Sequence, residues 1–130
     1  MNDFLARLQN GGLLFDGSMG ALIEARGVTT NCPGLLNAEN PALIRAIHQD
    51  YRGAGADVSI ANTFGANPIK LRALGLENRL DELIEKGVAL AREAGNFALL
   101  DIGPTGEFLR PAGNIGLEEM VQVFRACAQA

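Results

Sequence analysis

Three short stretches set glycine beside small polar or acidic side chains: Asp16-Gly17-Ser18-Met19-Gly20, Asn62-Thr63-Phe64-Gly65-Ala66-Asn67 and Gly103-Pro104-Thr105-Gly106-Glu107. Glycine lets a backbone turn sharply and brings its N–H groups close to a ligand. Asp16 can receive a ligand's ammonium group, or it can close an Asx-turn or cap a helix starting near Ser18. Asn62 and Thr63 can hydrogen-bond a ligand while Phe64 walls the pocket, or the three form a turn with Phe64 in the core. Asn67, directly before Pro68, reads as a helix cap rather than a ligand contact.

Three further residues need placing. Asp101 falls inside an apolar run, so either it points to an interior where a carboxylate needs partners, or the strand ends early. Glu107 is expected in solvent. His48, beside Ile47 in a helical stretch, is expected at the surface or satisfied by hydrogen bonds rather than acting as a ligand. The glycine pattern does not match a dinucleotide fingerprint, and no Walker lysine follows any strand, which disfavours phosphate cofactors.

The elements that must position these loops follow from apolar patterning. Leu13-Leu14-Phe15, Asp57 to Ala61 and Phe97 to Ile102 read as short, mostly apolar strands of the kind buried on both faces of a parallel sheet. Asn40-Pro41 and Asn67-Pro68 each supply a cap followed by proline at the first helical position. The first opens a helix carrying Leu43, Ile44, Ile47 and Tyr51, ended by Gly53 or Gly55; the second opens a short helix closed by Gly75. Arg79 to Glu93 carries the stripe Leu80, Leu83, Ile84, Val88 and Ala91, with Gly95 as its stop, and a last helix carries Leu117, Met120, Val121 and Phe124 on one face. Strands alternating with helices predict an α/β fold, a parallel βα-repeat in which the three loops converge at the strand C-termini. No linker divides residues 1–130, which read as one unit.

Composition excludes several classes. A net charge of −4 and few aromatics (six Phe, one Tyr, no Trp) offer no footprint for nucleic acid. No apolar run approaches a membrane span, and the N-terminus lacks the basic and apolar regions of a signal peptide. Cys32 and Cys127 fit no zinc knuckle or redox pair, and read as two reduced thiols of a cytoplasmic protein.

Against this background Leu14-Phe15-Asp16-Gly17-Ser18-Met19-Gly20 resembles the first-strand motif of the homocysteine S-methyltransferase family. Pro41 to Asn67, including Ile47-His48, Tyr51, Ala54-Gly55-Ala56-Asp57-Val58 and Asn62-Thr63-Phe64, resembles its second unit. Asp101-Ile102-Gly103-Pro104-Thr105-Gly106 is similar to its third strand and Gly-Pro loop, in the form of corrinoid-dependent, methionine-synthase-like members. The resemblance runs through the whole chain in order. It implies a (β/α)8 TIM barrel, of which this chain holds the first three βα units. It also implies homocysteine as substrate, with Asp16 meeting the amino group, Gly17 giving backbone approach, Thr63 and Phe64 lining the pocket, and Asn62 with Gly103-Pro104 shaping its wall.

The family's zinc is held by three cysteines of later strands and lowers the pKa of the homocysteine thiol, making a thiolate that attacks a methyl donor. Donors in the family are methylcobalamin charged from methyltetrahydrofolate, betaine and S-methylmethionine, so a corrinoid domain or protein is an implied partner. Neither Cys32 nor Cys127 occupies a zinc-ligand motif, so no catalytic residue and no metal ligand is assigned here. A full barrel needs about 250 residues, which makes a truncated or split piece, inactive alone, the expectation. Its open edge and bare helix faces call for the missing C-terminal barrel half or another copy. The alternative is a non-catalytic module that binds an amino acid or self-associates as a half-barrel.

Overall fold

The computed structural model of the protein describes residues 2–95 and 97–130; Met1, part of the N-terminal stretch read above, lies outside the described residues. In chain order the elements are α1 (Asn2–Gly11), an extended segment through Phe15, α2 (Met19–Ala25), α3 (Leu36–Glu39), α4 (Pro41–Gly53), β1 (Val58–Ile60), α5 (Pro68–Ala73), α6 (Leu80–Ala94), β2 (Phe97–Leu99) and α7 (Leu117–Gln129). Single tight turns at Pro33–Leu35 and Glu77–Arg79 lead into α3 and α6. The fold is α/β, with a parallel strand pair at its centre.

β1 pairs in parallel with β2, Val58 opposite Phe97 and Ile60 opposite Leu99. Phe15 forms a parallel bridge to Val58 on the other side, and the Asp16 N–H donates to the Val58 carbonyl at 3.0 Å. The three extended segments therefore lie side by side in chain order. All are shorter than their apolar runs suggest, and side chains explain why. The Leu14 N–H donates to the Asp57 carboxylate instead of a facing carbonyl, so the first segment is a bridge rather than a ladder. Beyond Leu99, the Asp101 N–H donates to the Thr63 hydroxyl, which itself donates to the Asp101 carbonyl. That reciprocal pair ends β2 three residues before Ile102, the expected strand end.

The helix starts follow local chemistry. Asn40 accepts from the Leu43 N–H and Asn67 from the Lys70 N–H, each just before a proline. Caps of this kind contribute about 1 kcal/mol each. Ser18 caps α2 by accepting from the Ala21 N–H. The helix α1 was not expected from the sequence; its Phe4 ring packs edge-on to Phe97, with centroids 5.2 Å apart.

Two apolar clusters hold the layers together. Ile23, Ile44, Ile47 and Leu90 join α2, α4 and α6. Cys32, Ala66, Leu71, Leu80, Leu83, Ile84 and Cys127 join α5, α6 and α7. Both cysteines are free and buried in this second cluster. In the last helix, α7 buries Val123 and Cys127, while Leu117, Val121 and Phe124 of the apolar face read from the sequence are exposed, one of the bare helix faces expected there. Among the described residues no helix is long and apolar enough to cross a membrane.

Candidate functional site

The ends of the extended segments do converge. Gly17, Ser18, Met19, Ile60, Ala61, Asn62, Phe64 and Asp101 line a cavity of 230 Å³, at the junction of the first segment, β1 and the stretch after β2.

Asp16 stands directly behind this lining. Its side chain is 2% exposed, and Oδ2 accepts from the Ile60 N–H at 3.0 Å. The carboxylate thus ties the first segment to the end of β1 and caps no helix; Ser18 holds that position. Oδ1 is buried with no hydrogen-bond partner. Gly17 follows because of Tyr51: a Cβ there would lie 2.9 Å from the tyrosine hydroxyl, which donates to the Ser18 carbonyl.

Asn62 and Thr63 spend their polar groups inside the protein. The Asn62 amide donates to the Pro33 carbonyl and to Asn37 Oδ1, while the Asn37 amide donates to the carbonyls of Asn62 and Leu83. This exchange pins the loop after β1 to α3 and α6. Thr63 is fully buried and clamps the Asp101 backbone. Phe64, by contrast, is 54% exposed and forms one wall, with the Lys70 ammonium 5.6 Å from its ring centroid. Gly103 lies against it: a Cβ at Gly103 would come 2.3 Å from the Phe64 carbonyl oxygen, so only glycine lets the two loops meet. Pro104 instead lines a neighbouring, mostly apolar hollow of 450 Å³ with Phe108, Met120 and Phe124. Glu107 is exposed, as expected.

Two residues gain importance from the tertiary structure. Asp101 borders the cavity, and its carboxyl pKa is raised by burial and, next, by the negative charge of Asp16. Two neighbouring carboxylates make this end of the cavity anionic, which suits a cationic group on a ligand. His48 corrects the sequence reading outright. It is 0% exposed, and neither ring nitrogen has a hydrogen-bond partner. Its Nδ1 lies 3.8 Å from Asp16 Oδ2. Leaving such groups unpaired costs roughly 1–3 kcal/mol each, so each calls for a partner. A sequence signal existed: His48 shares one helical face with Ile44, Ile47 and Tyr51.

The thiols do not fit a metal site. Cys127 packs in the apolar cluster, its Sγ 3.5 Å from the Ala66 carbonyl, and burial raises its pKa, the reverse of what a thiolate ligand needs. No group of three or more His, Cys, Asp or Glu among the described residues could hold a metal ion.

Known proteins resemble this chain in sequence and fold. The sequence model of the homocysteine S-methyltransferase family matches residues 13–130. Homocysteine S-methyltransferase of Escherichia coli is 40% identical over 109 residues, which cover 80% of this chain and 34% of that protein. Methionine synthase of Mycobacterium tuberculosis is 33% identical over 101 residues, or 72% of this chain and 8% of that protein. The crystal structure of the metallated homocysteine methyltransferase MmuM from Escherichia coli superposes with a TM-score of 0.79 at 29% identity, covering 95% of this chain and 51% of that one. The chain therefore spans well under two thirds of these relatives. With its motifs in order along a matching fold, the chain belongs to the homocysteine S-methyltransferase family.

Proposed function

We propose that the chain supplies the homocysteine-binding part of an S-methyltransferase barrel, as the first three βα units of a (β/α)8 fold. The observation that carries this reading is the anionic cavity at the segment ends, backed by Asp16 and bordered by Asp101. An amino acid's ammonium group complements that charge, and the buried Asp16 Oδ1 has no hydrogen-bond partner with which such a group would compete. Gly17 leaves the backbone open to the substrate, Phe64 walls the cavity, and Asn62 holds that wall through Asn37. Thr63 acts by clamping Asp101, and Gly103 lets the Gly103-Pro104 loop close on Phe64.

In the complete reaction the homocysteine sulfur attacks a methyl group and the donor leaves with the bonding electron pair. The zinc that family resemblance implies for activating that sulfur finds no fitting ligand set among the described residues. The role of this chain is therefore substrate positioning, and the methyl donor, a corrinoid in methionine-synthase-like relatives, approaches from elsewhere.

Calorimetric titration of L-homocysteine into the 130-residue chain tests the reading. Binding is expected, and Asp16→Asn should weaken it by about 10–100-fold, the worth of a hydrogen bond to a charged group. Absence of binding, or equal binding by Asp16→Asn, contradicts it. A second reading, self-association as a half-barrel, is favoured by the exposed apolar residues Phe108, Leu117, Val121 and Phe124. Sedimentation of the same chain across concentration separates the two, because only the second requires dimers.

A further inference from the structure

We infer that His48 is the positioning residue for Asp16: its Nδ1–H points at Oδ2, holding the carboxylate so that Oδ1 stays available to a ligand's ammonium group. The inference deepens the proposed homocysteine site and rests on that reading for its ligand, though not for the His48–Asp16 contact itself. Three observations lead to it. His48 is fully buried, and neither ring nitrogen is hydrogen-bonded to another group of the protein. Its nearest ionic partner is Asp16, also buried, at 3.8 Å. Asp16 Oδ2 already accepts from the Ile60 N–H, so a second donor on that oxygen fixes the carboxylate plane and leaves Oδ1 as the one unsatisfied acceptor.

The distance is longer than a direct hydrogen bond, which spans about 2.7–3.2 Å. Contacts of this type often lie long in a ligand-free site and tighten when the ligand arrives. Even at 3.8 Å, the carboxylate's charge favours the tautomer that carries its proton on the nearer nitrogen. His48 rides on α4 one turn before Tyr51, whose hydroxyl holds the Ser18 carbonyl. One helix face thus sets both the carboxylate and the loop that follows it.

The test uses the chain's single histidine, which gives one imidazole spectrum without assignment ambiguity. Nitrogen-15 NMR of the ligand-free chain should show the proton on Nδ1, and Asp16→Asn should shift that equilibrium. A proton on Nε2, or a tautomer indifferent to Asp16→Asn, overturns the inference whether or not homocysteine binds. The second arm compares His48→Asn, whose amide N–H replaces the Nδ1 donor, with His48→Leu, which fills similar volume without one. Homocysteine affinity should survive in His48→Asn and fall about tenfold or more in His48→Leu, with both variants folded by circular dichroism. Equal affinity in both folded variants overturns the positioning role. If the unmodified chain fails to bind homocysteine, the proposed function fails, while the tautomer result still decides the contact.

Discussion

Helices α6 and α7 carry apolar stripes of similar length and spacing, yet they meet different fates. α6 buries Leu80, Leu83, Ile84, Gly87, Leu90 and Ala91, because α3, α4, β1, β2 and α7 all pack on it. α7 touches only α5 and α6 closely, buries Val123 and Cys127, and leaves Leu117 68% exposed. Periodicity therefore shows where an apolar stripe lies but not whether a neighbour covers it. The loop before α7 shares this exposure, with Phe108 at 72%. Two of the groups that position the candidate site lean on this covered side: Asn37 donates to the Leu83 carbonyl of α6, and Tyr51 of α4 donates to the Ser18 carbonyl.

The contrast is open to direct attack. Leu83→Ala, at a fully buried α6 position, should cost about 2–5 kcal/mol, seen as a lower urea midpoint. A loss near zero would show that α6 is no better packed than α7.

Gly87→Ala should come next. The new Cβ would lie 2.6 Å from the Asn37 amide nitrogen and 2.8 Å from the Thr63 methyl. That amide is held by two carbonyls and cannot step aside cheaply. Overpacking of this kind costs about 1–3 kcal/mol, against roughly 1 kcal/mol gained in helix propensity. The net expectation is a modest loss of stability, with homocysteine binding weakened because Asn37 holds Asn62. An unchanged midpoint and affinity would detach the site from α6.

On the open side, Phe124→Ala should change stability by no more than about 0.5 kcal/mol. A cost comparable to Leu83→Ala in urea unfolding would mean that the α7 face is covered in solution. Repeating the measurement across protein concentration tells whether a second copy is the cover.

The smallest effect concerns Glu82 on the surface of α6. Hydrogen bonds from Arg79 and then Lys86 hold its pKa at about 2, against an ordinary 4.5. The folded value lies below the unfolded one, so the stabilisation is present above about pH 4.5 and is lost as pH falls toward 2. Urea midpoints of the unmodified chain and Glu82→Gln should differ slightly near neutrality and converge on acidification. Because the carboxylate lies at the surface, solvent screening keeps the gap small.

Much of the molecule was legible because its causes are local. Asn40-Pro41 and Asn67-Pro68 start helices where expected, since a cap and the residues it serves lie within one turn. The three apolar runs pair in parallel, and the Gly-rich loops of the first two run into one cavity along with Asp101. Strand lengths were not legible, because the groups that end them, Asp57 for Leu14 and Thr63 for Asp101, come from 43 and 38 positions away. α1 carries neither a capping pair nor a complete stripe of its own, and it is tied to the rest of the chain by Phe97 and by the Arg7–Asp57 ion pair.

The sequence by itself determined the family, the order of its three extended segments and the identity of Asp16 as the carboxylate at the first loop. Those features are written in spacing and residue type, which survive without coordinates. Only the tertiary structure decided that Asp16 bonds β1 rather than capping a helix, that Asn62 and Thr63 turn their polar groups inward, and that His48 is buried beside Asp16. Each of these depends on which distant backbone group or side chain arrives within hydrogen-bond reach. A histidine on an amphipathic helix reads the same whether its neighbour is water or a buried carboxylate, and packing alone makes the difference.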